Sequence, residues 1–160
     1  MVLCCGTAAW LSGCAAPDHT GREALGNEAG RSLPCAVVEP GVLYRSGQLG
    51  VGELLDLIGR IGLKTIVNAR GEQHDSNWYR REAEFARLNG IKLVDLDVHI
   101  ARGPTLEQSE QFMALVRDPN NYPILVHCKF GVNRTGHMVK LFKAQRPRLL
   151  SDDGAPADLP

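Results

Sequence analysis

From about residue 34 onward, short apolar runs alternate with stretches in which apolar residues recur every three or four positions. Val42-Leu43-Tyr44-Arg45 reads as a strand, and Leu54, Leu57, Ile58 and Ile61 follow at helical spacing, with Gly62 as a C-terminal stop. Lys64 to Asn68 makes a second strand, and the polar segment Arg70 to Ser76 leads into a helix over about 77–89. That helix carries Tyr79, Ala83 and Ala86 on one face and ends at Gly90. Ile91 to Val98 is the third strand. Thr105 and Gln108 form a capping-box pattern ahead of a helix bearing Phe112, Met113, Leu115 and Val116, which Asp118-Pro119-Asn120-Asn121 breaks. Ile124-Leu125-Val126 then reads as a buried strand, and Met138, Leu141 and Phe142 have helical spacing. This last helix is expected to reach about Gln145, where Arg146-Pro147-Arg148 interrupts it. Such alternation predicts an α/β fold, a central and mostly parallel sheet flanked by helices.

The pattern divides the chain into a domain over 35–146 and a disordered tail over 147–160. Ahead of the domain lie a distinct N-terminal segment, 1–20, and a polar tether, 21–34. With 160 residues, 44% of them hydrophobic and 22% charged, the chain has the composition of one ordinary globular domain. Its 18 basic and 18 acidic residues cancel, so no excess of positive charge points to a nucleic-acid partner. Five cysteines are spread too unevenly for a disulfide framework, and Cys35 reads as a small packed residue rather than a redox partner.

The candidate chemistry lies where the apolar strand turns into His127-Cys128-Lys129-Phe130-Gly131-Val132-Asn133-Arg134-Thr135-Gly136. A loop between a strand and a helix N-terminus aims successive backbone N–H groups at one point, and the helix dipole adds partial positive charge there. The segment is therefore an anion site that contains a thiol. Beside cationic groups and a helix N-terminus a thiol's pKa falls well below its free value of about 8.5, which makes Cys128 a candidate nucleophile. Arg134 has the planar fork that grips two phosphate oxygens, and the backbone of Lys129, Phe130, Gly131, Val132 and Asn133 supplies the remaining donors. The Thr135 hydroxyl suits the sulfur as a leaving group. His127 suits the loop's support, and Gly131 permits a positive φ where the loop turns. This chemistry calls for neither a metal nor another cofactor.

His127-Cys128, Gly131 and Arg134-Thr135-Gly136 resemble the signature loop of the cysteine-dependent protein tyrosine and dual-specificity phosphatases. From Leu43-Tyr44-Arg45-Ser46-Gly47-Gln48 to Gly136, about two thirds of the chain resembles the small bacterial dual-specificity-like group, to which fungal and plant atypical dual-specificity phosphatases are related. The resemblance implies hydrolysis of phosphomonoesters through a cysteinyl-phosphate intermediate. Its substrate would be a phosphorylated protein (on tyrosine, serine or threonine) or a small phosphate ester. It also implies a general acid upstream of the nucleophile. Asp97, 31 positions before Cys128, stands about where that acid falls, with Asp95 and His99 as rivals. Arg45 and Gln48 come with the resemblance as structural residues. Arg70, Glu72, His74 and Asp75 either rim the pocket or form a solvated loop, and Arg102 either attracts an anionic substrate or is simply exposed. A weakly active phosphate-binding module and a rhodanese-like sulfurtransferase are the alternatives, and a structural cysteine beside an unrelated arginine is the blandest one.

The N-terminal segment ends in Leu11-Ser12-Gly13-Cys14, which resembles a bacterial lipobox, although no Lys or Arg precedes the apolar part. The expectation is lipid attachment at Cys14 and anchoring in a bacterial cell envelope; without it the protein would be cytoplasmic. No run is long enough to cross a membrane as a helix. Metabolic labelling with a fatty acid should mark the wild-type protein and not Cys14→Ala. Label that persists in the variant would remove the anchor.

Overall fold

The structure is a computed structural model, and residues 34–151 are described, all within one compact unit over Leu33–Pro160. The segments 1–20 and 21–33, with Cys14, and the end of the tail after 151 lie outside the described residues. The elements are β1 (Ala36–Glu39), β2 (Leu43–Ser46), α1 (Val51–Ile61), β3 (Thr65–Asn68), α2 (Asn77–Leu88), β4 (Lys92–Asp95), α3 (Leu106–Arg117), a 3-10 turn (Pro119–Asn121), β5 (Ile124–His127) and α4 (Asn133–Ser151). The five strands lie in the order β1-β2-β5-β3-β4, with β1 antiparallel to β2 and the other neighbours parallel. This is the α/β architecture that the pattern predicts.

The helix boundaries follow from local chemistry. Glu53 reaches back to the Gly50 N–H at 2.8 Å to open α1, and Gly62, at φ +66°, closes it by donating to the Ile58 carbonyl. Thr105 and Gln108 cap α3 reciprocally, at 3.2 and 2.9 Å. Asp118 then accepts from the Asn120 N–H at 2.9 Å and turns the chain toward β5.

Two-residue alternation along the strands divides the core. Leu43, Val67, Ile124 and Val126 pack with Phe112, Met113, Met138 and Phe142 against α3 and α4. Tyr44, Ile66 and Leu125 pack with Leu54, Leu57 and Phe85 against α1 and α2. All residues of β3 and β5 are buried, as a strand covered on both faces requires.

Three boundaries differ from expectation. β1 is an additional strand at the sheet edge. It is short, half-exposed and irregular in register between Val37 and Glu39, so it carries little periodic signal. The third strand ends at Asp95, because the chain bends there: Val98 donates to the Leu96 carbonyl at 2.8 Å, and Asp97 forms an isolated bridge with Arg70. The last helix runs on to Ser151, through the proline at 147. A proline costs an interior helix one hydrogen bond, which a long docked helix tolerates.

Candidate active site

β5 is central in the sheet, so its C-terminal end delivers Cys128 to the middle of one edge, between the ends of β2 and β3. The following loop folds back over the end of β2. The Gln48 N–H donates to the Lys129 carbonyl at 3.2 Å, and the Arg45 guanidinium donates to the Gly131 carbonyl. At Gly131, φ is +69°, and a Cβ would stand 2.6 Å from the Ser46 carbonyl and 2.7 Å from the Gly47 nitrogen. Only glycine meets both conditions. Arg45 and Gln48 are thus structural, as expected.

Cys128 is buried at the N-terminal end of α4. Burial pushes its thiol up, but the Thr135 hydroxyl and the backbone N–H groups of Thr135, Phe130 and Gly131 bring it down to about 7 from 9.0. The Thr135 hydroxyl is itself buried without a hydrogen-bond partner of good geometry, and it lies near enough to the Cys128 thiol to lower its pKa. Ile100, Cys128, Lys129, Phe130, Val132, Asn133 and Arg134 line one cavity of about 450 Å³. The structure therefore brings together Cys128, Arg134 and the loop that the sequence singles out.

The acid candidates are placed differently. Asp97 is exposed, lies under Gly71 and lines two neighbouring clefts, one with Arg70, Glu72 and Asp95 and one with His99 and Arg102. Asp95 is tied to Asn68 at 2.6 Å and to the Tyr79 hydroxyl at 2.8 Å. His99 Nδ1 accepts from the Ala101 and Arg102 N–H groups at 3.2 and 3.0 Å. None of the three lines the Cys128 cavity. The bend after Asp95 places Asp97 beside Arg70 and Gly71, past the end of the third strand.

Under the loop lies a buried polar chain that sequence reasoning missed. His127 points to the α2 side of the sheet, where its Nε2 lies 3.2 Å from Glu82 Oε1, out of line for a hydrogen bond. Gln48 donates to Glu82 at 2.9 Å and accepts from Arg70 at 2.9 Å, and the Arg70 guanidinium stacks 3.5 Å from the Trp78 ring centre. Burial lowers the Arg70 pKa, as does the neighbouring charge of Arg134, while Glu82 and Cys128 oppose this. Arg70 thus faces inward, whereas Glu72, His74 and Asp75 are exposed. A signal for Glu82 was available: it shares the buried helix face of Tyr79 and Ala86, where a lone carboxylate needs a partner. Cys35 is half-buried against the α1–α2 side of the core, which pushes its thiol up and suits a packing role.

A family model described as "DSP-PTPase phosphatase fused to NAD+ Kinase" matches residues 36–155. The chain belongs to this family of dual-specificity-type phosphatases. Chloroplastic NAD kinase 2 of Arabidopsis thaliana is 34% identical over 111 residues, which make up 69% of this chain and 11% of that protein. Inositol diphosphatase DSP1 of Oryza sativa subsp. japonica is 31% identical over 119 residues, 71% of this chain and 51% of that protein. The chain thus spans between about a tenth and half of the length of these relatives. The core catalytic domain of the PP-IP phosphatase Siw14 from S. cerevisiae, in complex with citrate, shares the fold with a TM-score of 0.56 and 24% identity, over 78% of this chain and 80% of that one.

Two substitutions probe the phosphatase loop. Gly131→Ala should cost at least about 1–3 kcal/mol from the positive φ alone, read by urea denaturation, and should lower anion affinity because the loop must lift off Ser46. Unchanged stability and phosphate binding would contradict the close approach. Thr135→Val should raise the Cys128 pKa, so less thiolate is present at neutral pH. The acidic limb of the kcat/KM profile, near pH 7 in the wild type, should then move upward. A limb that stays in place would show that the hydroxyl does not face the sulfur.

Proposed function

We propose that the protein hydrolyses phosphomonoesters through a cysteinyl-phosphate intermediate. The observation that carries this reading is a thiol brought to a pKa of about 7 inside an anion-binding loop that also holds Arg134. The Cys128 thiolate attacks phosphorus in line, forming the P–S bond as the P–O bond to the leaving group breaks. Arg134 and the loop N–H groups hold the phosphoryl oxygens as charge spreads over them. Water then releases phosphate, and the Thr135 hydroxyl stabilises the departing thiolate. His127 supports the loop and does not touch the reacting atoms.

The substrate is a phosphorylated protein side chain or a small phosphorylated metabolite. The rice relative's name adds an inositol diphosphate to the candidates. Lipid attachment at Cys14 stands as a separate proposal, supported only by the Leu11–Cys14 pattern.

Phosphate release from an aryl phosphate, run beside a thiosulfate sulfurtransferase assay, tests the reading. Cys128→Ser should abolish release, and Arg134→Lys should reduce it roughly 10²–10³-fold, the usual cost of one transition-state donor. Near-wild-type release by Cys128→Ser, or sulfur transfer without release, sinks the assignment. If Asp97 is not the general acid, Asp97→Asn should slow aryl and alkyl esters by the same small factor. A loss of about 10²–10⁴-fold confined to alkyl esters would instead make it the general acid.

A further inference from the structure

Glu82 and His127 form a buried pair whose hydrogen-bonding capacity is largely unused. Glu82 is 3% exposed and His127 1%. The Gln48 amide donates to Glu82 Oε1 at 2.9 Å, while Glu82 Oε2 meets no hydrogen-bond partner. Both ring nitrogens of His127 lack one as well, although Nε2 stands 3.2 Å from Glu82 Oε1. A buried carboxylate with a single neutral donor is costly, and so is a buried imidazole with no partner. Turning the ring about its Cβ–Cγ bond brings an Nε2–H into line with the carboxylate and meets both needs. No hydrogen bond of the ring opposes that turn.

The pair's place in the fold gives it a consequence for Cys128. His127 is the residue before Cys128, and its backbone is clamped on both sides. Ser46 of β2 and Asn68 of β3 stand level with it, and its carbonyl accepts from the Ala69 N–H at 2.9 Å. The Ser46 hydroxyl is bonded to the Gly47 carbonyl, and the Asn68 amide to Gly71 and Asp95, so the neighbouring side chains are neutral and engaged elsewhere. Glu82 comes from α2, on a buried face otherwise made of Tyr79, Phe85 and Ala86. The Tyr79 hydroxyl is turned to Asp95 at 2.8 Å, and Arg70 is joined to the carboxylate through Gln48. Glu82 is thus the carboxylate that meets His127 among the described residues. Nε2 is the outer nitrogen of the ring, so the carboxylate approaches at the end away from the main chain that leads into Cys128. A proton held there makes a pair whose positive member is the one bonded to Cys128. Such a pair adds little net stability, but positive charge beside a thiol favours the thiolate.

We propose that Glu82 is a positioning residue that acts through His127: it holds a proton on the outer ring nitrogen and so keeps the positive end of a carboxylate–imidazole pair next to the Cys128 thiolate. The proposal rests on the reading of Cys128 as the attacking thiolate.

Alkylation of Cys128 by iodoacetamide across the neutral pH range, followed by mass spectrometry of its peptide in the full-length protein, reads the thiolate without requiring turnover. The wild-type midpoint, at about pH 7, should move up by about one unit or more in Glu82→Gln, which keeps the shape of the carboxylate without its charge. At about pH 6, Cys128 of that variant should then react about tenfold more slowly. His127→Asn should raise the midpoint too, and Glu82→Gln added to His127→Asn should raise it no further, the mark of an effect relayed by the ring. A carboxylate acting on the sulfur directly predicts the opposite sign, since its removal lowers the midpoint. A midpoint that falls or stays in place in Glu82→Gln, or shifts that add in the double variant, would overturn the proposal. Circular dichroism checks that the variants fold. If they do not, imidazole nitrogen NMR of the histidine-labelled wild type decides: Nε2 of His127 should carry a proton at neutral pH, and a proton-free Nε2 would overturn the proposal as well. Absence of phosphate release from any ester would sink the phosphatase reading alone, since the thiolate is measured without one.

Discussion

A buried thiolate is unfavourable unless donors are aimed at it before it forms. At Cys128, burial raises the thiol's pKa, and the Thr135 hydroxyl with three backbone N–H groups more than reverses that rise. The reversal needs a backbone that curls around the sulfur, and such a curl leaves its outward-facing carbonyls to be satisfied elsewhere. The Lys129 and Gly131 carbonyls find their partners in the Gln48 N–H and the Arg45 side chain. The loop is therefore shaped by the end of β2 as much as by its own residues. The absence of a side chain at Gly131 is what lets the two segments meet.

Strand order makes this possible. β2 and β3 flank β5, so their C-terminal ends stand beside Cys128. β2 contributes the support of Arg45 and Gln48. β3 leads directly to Asn68 and Arg70. Asn68 organises the turn that follows, accepting from the Arg70 N–H at 3.0 Å and donating to the Gly71 carbonyl at 3.0 Å. Arg70 is then held between Gln48 and Trp78, within electrostatic reach of Arg134 and Cys128. The phosphatase site thus rests on a layer of buried polar groups that joins β2, β3, α2 and β5. A layer of this kind is stable only when its members compensate one another, and Gln48, bonded to both Arg70 and Glu82, is the member that joins the two charges.

Apolar side chains in the lining of the Cys128 cavity are the counterpart of that polar layer. Underneath, Gln48 links Arg70 and Glu82; above, Ile100, Phe130 and Val132 are exposed.

Features fixed by near neighbours were legible without the fold. Caps, helical periodicity, the buried strand before His127 and the loop from Cys128 to Thr135 all depend on residues within a few positions of one another, and the family resemblance lies in the same contiguous segments. β1 was not legible, since an edge strand of four half-exposed residues has almost no periodic pattern. The end of the third strand was not legible either, because the chain bends after Asp95 and carries Asp97 to a bridge with Arg70. The pairings of Glu82 with His127, of Arg70 with Trp78 and of Ile100 with the phosphate loop were decided only in three dimensions. They depend on which strands are neighbours, on which face each strand turns to a helix and on how the turn at Ile100 is held against α4. Local sequence determined Cys128 and its loop, because a strand-to-helix turn is a local object; tertiary structure decided what surrounds them, because those partners meet only once the sheet is assembled.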